Sequence, residues 1–161
     1  METQLETLVR WTKLQILFQK FCDRMKADRR FELEMRRLWR CFPDKPMAAA
    51  TVMKTRYQQE LSPAEAVEVS LWIRAFFSRK TTRRPVTAAE KLAMWDRQRG
   101  ICPCCNRMME RDMDKNHADH LIPFTYVGDE LENNLRLTHA GCNLSKSSTM
   151  DYCLKAYLFG L

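Results

Sequence analysis

The sequence predicts a mainly α-helical protein in which an N-terminal helical region leads into a small strand–loop–strand–helix unit. Three observations predict it. Apolar residues recur at helical spacing through the first half of the chain, and two helix starts carry capping boxes. Residues 116–158 break that rhythm with two short strand-like segments separated by a Gly-containing loop. Two pairs of metal-binding residue types, Cys102-x-x-Cys105 and His139-x-x-Cys142, fall where turns are expected.

Residues 3–27 set Leu5, Leu8, Val9, Ile16, Leu17 and Phe21 among charges, the pattern of an amphipathic helix. A second helix places Phe31, Met35, Leu38, Trp39 and Phe42 on one face and Arg29, Arg30, Arg36, Arg37 and Arg40 on the other. Pro43 and Pro46 end it. A third helix is expected over 48–60. Ser62-Pro63-Ala64-Glu65 is a capping box with Pro at the first helical position, opening a fourth helix to about Arg79. Trp11, Trp39, Trp72, Phe76 and Phe77 are assigned to the core of these helices, a dimer interface being the other use for them. The run Arg79-Lys80-Thr81-Thr82-Arg83-Arg84-Pro85 reads as a linker, or equally as an arm that contacts phosphates through Arg83 and Arg84. Thr87-Ala88-Ala89-Glu90 opens a helix to Arg99, with Gly100 as its left-handed stop. A strand is expected over 116–122, a loop over 123–133, a strand over 135–137, a tight turn at Ala140-Gly141 and a closing helix over 143–158. The division that follows is a basic helical region, 1–86, and a site-bearing domain, 87–161.

In 161 residues, 45% hydrophobic and 29% charged content describe a soluble globular chain of one domain or a small pair. No stretch approaches the roughly 18 apolar residues of a membrane span. Charges scattered from Glu2 to Lys20 do not make a secretory signal, so a cytoplasmic protein is expected. The 7 cysteines, an odd number, favour metal ligands and buried thiols over disulfides. Net charge is +7, unevenly distributed: residues 1–86 carry 18 Lys+Arg against 10 Asp+Glu, residues 87–161 carry 9 against 10. A basic surface beside a nearly neutral site suits a polyanionic substrate. An Arg-rich solvated helix surface is the alternative.

The two x-x-spaced pairs offer three thiolates and one imidazole. That is a closed four-ligand set, suited to a structural zinc ion bound by Cys102, Cys105, His139 and Cys142. A ββα unit of this size has little core of its own, and zinc would supply what burial does not. Cys104 is expected to point outward or to pack, and Cys22, Cys41 and Cys153 to be apolar core residues. Hydrolysis of a phosphodiester needs a base for water, positive charge on the phosphate and stabilisation of the leaving oxygen. His120 has the pKa range of a base and Asp119 is a hard oxygen donor. On a strand these neighbours face opposite ways, so both reach one site only if the strand bends.

The run from Cys102 to Lys146 contains C-x-x-C, A-D-H-L-I-P, a Gly-containing loop, N-L-R-L and C-N-x-x-K. It resembles the HNH endonuclease domain, with its ββα-metal fold, over about a third of the chain. The resemblance implies that His120 is the general base, Asn134 the central residue that fixes the loop, and Asn143 the third letter of an H-N-N variant. It further implies that Asp119 and Asn143 bind a catalytic Mg²⁺, with Mn²⁺ as a substitute, and that Lys146 steadies a phosphate. The implied substrate is DNA, double-stranded, with RNA as a further possibility. The implied setting is restriction, anti-phage defence or a mobile element. A non-catalytic zinc module that binds nucleic acid or a protein partner is the competing reading; such a partner, or a second copy, would dock on the N-terminal helices. The sequence departs from the family at His139, where many members have Cys, and in a loop, Tyr126 to Asn134, with one Gly and three acids. His117 is assigned to the outer face of its strand, a second metal or substrate ligand being the other use for it.

Overall fold

The structure is a computed structural model and describes residues 1–159. Its N-terminal half is built of α1 (Gln4–Ala27), α2 (Arg29–Cys41), α3 (Lys45–Tyr57) and α4 (Pro63–Ser78). Each begins on a side-chain cap: Thr3 accepts from the Glu6 N–H, Asp28 from Phe31, Asp44 from Met47 and Ser62 from Glu65. A cap of this kind contributes about 1 kcal/mol. α3 starts earlier than expected because Asp44 caps it and Pro46 sits in its first turn, where a missing N–H costs nothing. It stops at Tyr57 because Gln58 turns left-handed, with φ 56°.

These helices bury Phe18, Phe21, Phe31, Met53, Val69, Trp72, Ile73 and Phe76 in one cluster, with Trp11, Trp39 and Phe77 half-buried at its margin. Phe21 meets Phe31 and Phe76 edge-on at ring separations of 6.0 and 6.2 Å. The aromatic residues of the first half therefore form a core. The outer face of α2 exposes Arg29, Arg30, Arg36, Arg37 and Arg40, two of which are paired with Glu32.

The second half comprises α5 (Ala88–Arg97), β1 (Asn116–His120), α6 (Phe124–Val127), β2 (Leu135–His139), α7 (Ala140–Lys146) and α8 (Tyr152–Phe159). β1 and β2 pair antiparallel, with Asn116 opposite His139, Asp119 opposite Arg136 and His120 opposite Leu135. The free edge of β2 is closed by a side chain. The Gln98 amide donates to the Leu137 carbonyl at 2.8 Å and accepts from the Leu137 N–H at 2.7 Å, standing in for a third strand.

Three further features differ from expectation. The loop after β1 contains α6, whose Tyr126 and Val127 are buried in the main core. The closing helix is two helices, broken where Ser147 takes φ 47°. Ala140 and Gly141 open α7 rather than forming a turn.

The main core also takes in Ile122, Tyr126, Val127 and Met150, so it runs continuously across the 86/87 division read from charge. Gln19 on α1 donates to the Tyr126 hydroxyl at 3.0 Å, and Lys26 to the Thr125 carbonyl at 3.3 Å. Between the halves, residues 79–87 form an exposed strap. Gly128 packs on it with φ +60°, and a Cβ there would meet Arg79 Cβ at 3.1 Å. A smaller second cluster (Met94, Cys102, Cys104, Met109 and Leu137) lies beneath the cysteine knuckle. Among the described residues no helix is long and apolar enough to cross a membrane.

Candidate active site and metal centre

The first knuckle is a turn between Ile101 and Met108, which bridge antiparallel. Inside it the Asn106 N–H donates to the Cys102 carbonyl at 2.8 Å, and Asn106 takes φ 59° to close the turn. The second knuckle is the passage from β2 into α7, with His139 as the last strand residue and Cys142 in the first helical turn. Antiparallel pairing brings the two together. The ligand atoms of Cys102, Cys105, His139 and Cys142 all lie within 4.8 Å of one another. His139 Nδ1 is 3.3 Å from Cys105 Sγ and 3.9 Å from Cys142 Sγ. These bracket the separation of about 3.5 Å that a tetrahedral zinc imposes with bonds of about 2.3 Å to sulfur and 2.0 Å to nitrogen. His139 Nε2–H donates to the Met108 carbonyl at 3.2 Å, which leaves Nδ1 with its lone pair toward the sulfurs. A hydrogen bond from Cys104, with help from nearby backbone N–H groups, holds the Cys102 thiol below its usual range against its burial. The donor set fits zinc.

The remaining cysteines divide. Cys22 is fully buried, and burial pushes its thiol up. Cys41, expected in the core, is exposed at the end of α2. Cys104 turns inward and lies 3.8 Å from Cys153. Cys153 is not an inert apolar residue, because its sulfur accepts from the Arg136 guanidinium at 3.0 Å.

At the other end of β1, Asn134 clamps the loop mouth. Its carboxamide oxygen accepts from the Ile122 N–H and its nitrogen donates to the Ile122 carbonyl, both at 2.9 Å. Asn133 beside it is exposed and makes no such clamp. The clamp fixes the chain just past His120. His120 Nε2 lies 2.7 Å from Asp129 Oδ1, and its ring meets Phe124 edge-on at 5.4 Å. Asp129 was not singled out by the sequence reading. It follows Gly128 in the loop, and no spacing rule ties it to His120. The pair opens on a shallow cleft of about 390 Å³ bordered by Arg84, Glu90, Arg97 and Asn133. Of the strap residues, Arg84 borders this cleft. The Arg83 guanidinium sits 4.7 Å above the Phe124 ring, and the Arg84 side chain bonds Glu90 at 2.8 Å.

Asp119 faces the opposite side of β1, as strand alternation requires. It is buried, with Oδ2 accepting from Arg136 at 3.2 Å and Oδ1 from Lys146 at 3.3 Å. Burial works against the Arg136 charge, but Cys153, Cys104 and Asp119 outweigh it and keep the guanidinium charged. Lys146 is 2% exposed and also donates to the His120 carbonyl at 2.9 Å, so its ammonium faces the protein and not solvent. Asn143 on α7 donates to His117 Nδ1 at 3.2 Å. His117 thus turns toward α7 instead of packing on an outer surface. The structure therefore gathers Asp119 with Lys146 and Arg136, Asn143 with His117, and His120 with Asp129. Asp119 and His120 thus serve opposite faces of β1, and both oxygens of Asp119 are already engaged by cations.

A two-stranded antiparallel sheet followed by a helix, stapled by three cysteines and a histidine, with an Asp-His pair at the end of the first strand, defines a zinc-stabilised ββα domain. Residues 102–149 match the family model described as HNH endonuclease, so this segment of the chain is similar to an HNH domain. No curated protein and no solved structure matches the chain.

Proposed function

We propose that the chain is an HNH endonuclease that hydrolyses phosphodiester bonds in DNA, in a restriction, defence or mobile-element setting. The observation that carries this reading is the placement of His120 at the mouth of an open cleft, fixed by the Asn134 clamp, inside the segment that matches the HNH family. His120 takes the proton of a water molecule whose oxygen attacks phosphorus. The P–O3′ bond breaks, the departing 3′ oxygen takes a proton from solvent, and the products are a 5′-phosphate and a 3′-hydroxyl. Asp119 and Asn143 are the residues that would hold Mg²⁺ or Mn²⁺, and the ion, when bound, supplies positive charge to the phosphate and the departing oxygen. Arg83 and Arg84 contact the DNA backbone beside the cleft, and the exposed arginines of α2 extend the basic surface. Supercoiled plasmid is the substrate that tests this. Wild type with Mg²⁺ or Mn²⁺ nicks it, EDTA stops the reaction, and His120→Ala lowers the rate by about 100-fold or more.

One observation favours the alternative, a zinc module that binds nucleic acid or protein without cutting it. Both oxygens of Asp119 are already paired with buried cations. Wild type that holds zinc, binds DNA and leaves plasmid, single-stranded DNA and RNA intact with either metal would establish that reading instead.

A further inference from the structure

We propose that Asp129 is the positioning residue of His120, fixing which ring nitrogen carries the proton and where the other one points; its part in catalysis rests on the nuclease reading above. The two side chains are 11% and 16% exposed and 2.7 Å apart, a short and largely shielded hydrogen bond. Burial pushes the Asp129 carboxyl up, but the Arg84 backbone N–H and His120 outweigh it and hold the group below the usual carboxylate range. At neutral pH the carboxylate is ionised and can only accept, so the shared proton belongs to His120 Nε2. Nδ1 is then the basic nitrogen.

Asp129 is itself held from behind. Its second oxygen accepts from the Arg84 backbone N–H at 2.9 Å, and the Gly128 turn that delivers it is seated on Arg79 and Lys80. One carboxylate oxygen serves the strap and the other serves the histidine. This arrangement does two things for a general base. It selects one tautomer before the reaction, and it stabilises the imidazolium formed when the proton arrives. Neither requires Asp129 to touch substrate. It also gives the strap a role beyond joining the two halves, since the strap aims the histidine through Asp129.

The test uses the full zinc-loaded chain and the variants Asp129→Asn, Asp129→Ala and Asp129→Glu. The chain has three histidines, so ring-nitrogen NMR resolves each of them. In wild type, His120 is expected as a single tautomer protonated at Nε2. In Asp129→Ala it becomes a mixture, with zinc content and circular dichroism unchanged. On plasmid, kcat falls by about 100-fold or more in Asp129→Asn and Asp129→Ala while KM stays within about twofold, and Asp129→Glu recovers part of the rate. An unchanged tautomer in Asp129→Ala together with kcat within about twofold of wild type overturns the proposal. If the tautomer depends on Asp129 but wild type cuts nothing, the positioning contact stands and the nuclease reading falls.

Discussion

Asp119 and His120 are adjacent in sequence and serve opposite faces of β1. Alternation along a strand sends His120 to the cleft beside α5 and Asp119 under α7. What Asp119 meets there is a pair of buried cations, and their energetics set the terms for any metal. Removing one partner of a buried ion pair is costly when it strands a charge. Here Arg136 would still pair Asp119 if Lys146 were replaced. Lys146→Met is therefore expected to fold, keep its zinc and bind Mn²⁺ about tenfold more tightly, a difference of about 1.4 kcal/mol. Calorimetric titration of the zinc-loaded chain measures this. Unchanged or weaker Mn²⁺ binding would show that Lys146 and the ion do not compete for Asp119. Asp129 adds a pH sign: its folded pKa is lowered, so its stabilising contact is complete above the unfolded value of about 3.9 and fades as pH falls through the folded one.

The strands and knuckles of the site-bearing half are short, and their own cluster is small. Metal sites of this type contribute about 10–16 kcal/mol in isolated small domains, as much as the whole stability of an ordinary one. Chelating zinc, or replacing Cys142 by Ser, is expected to unfold β1, β2 and α7 while α1–α4 keep their helical signal. Far-UV circular dichroism with amide exchange separates the two outcomes. Loss of protection spread equally over α1–α4 would mean that the zinc ligands hold the main core as well. Within the helical half, the cap at Ser62 was legible because its capping box is local chemistry, whereas the caps at Thr3, Asp28 and Asp44 emerge only in the structure. The break at Ser147 was not legible either, because no Gly or Pro marks it and α8 is placed by Met150 entering the distant core.

Across the whole molecule, the charge asymmetry and the polar run at 79–85 suggest two separable halves, whereas the apolar core crosses between them. Ile122, Tyr126, Val127 and Met150 complete the cluster built by α1 and α4. At about 25 cal/mol per Å², burying four such side chains is worth several kcal/mol, a large share of a domain's net stability. A fragment of residues 1–86 is expected to melt well below the full chain and to self-associate through the uncovered face. Thermal melting with light scattering measures both. A monomeric fragment with the full chain's melting temperature would show that the helical half is complete alone.

The sequence by itself determined the main helices of the first half, the caps at Ser62 and Thr87, the four clustered Cys and His residues and the likeness to an HNH domain, which in turn implied Asn134. Each of these rests on spacing or on neighbours a few residues apart, which is what a one-dimensional pattern can carry. Tertiary structure decided what the site residues touch: His120 meets Asp129 across the loop, Lys146 and Arg136 converge on Asp119, and Asn143 finds His117. Those contacts depend on how β1, α7 and the strap cross in space. The energy of an ionised group follows the charges around it, and no spacing along the chain encodes them.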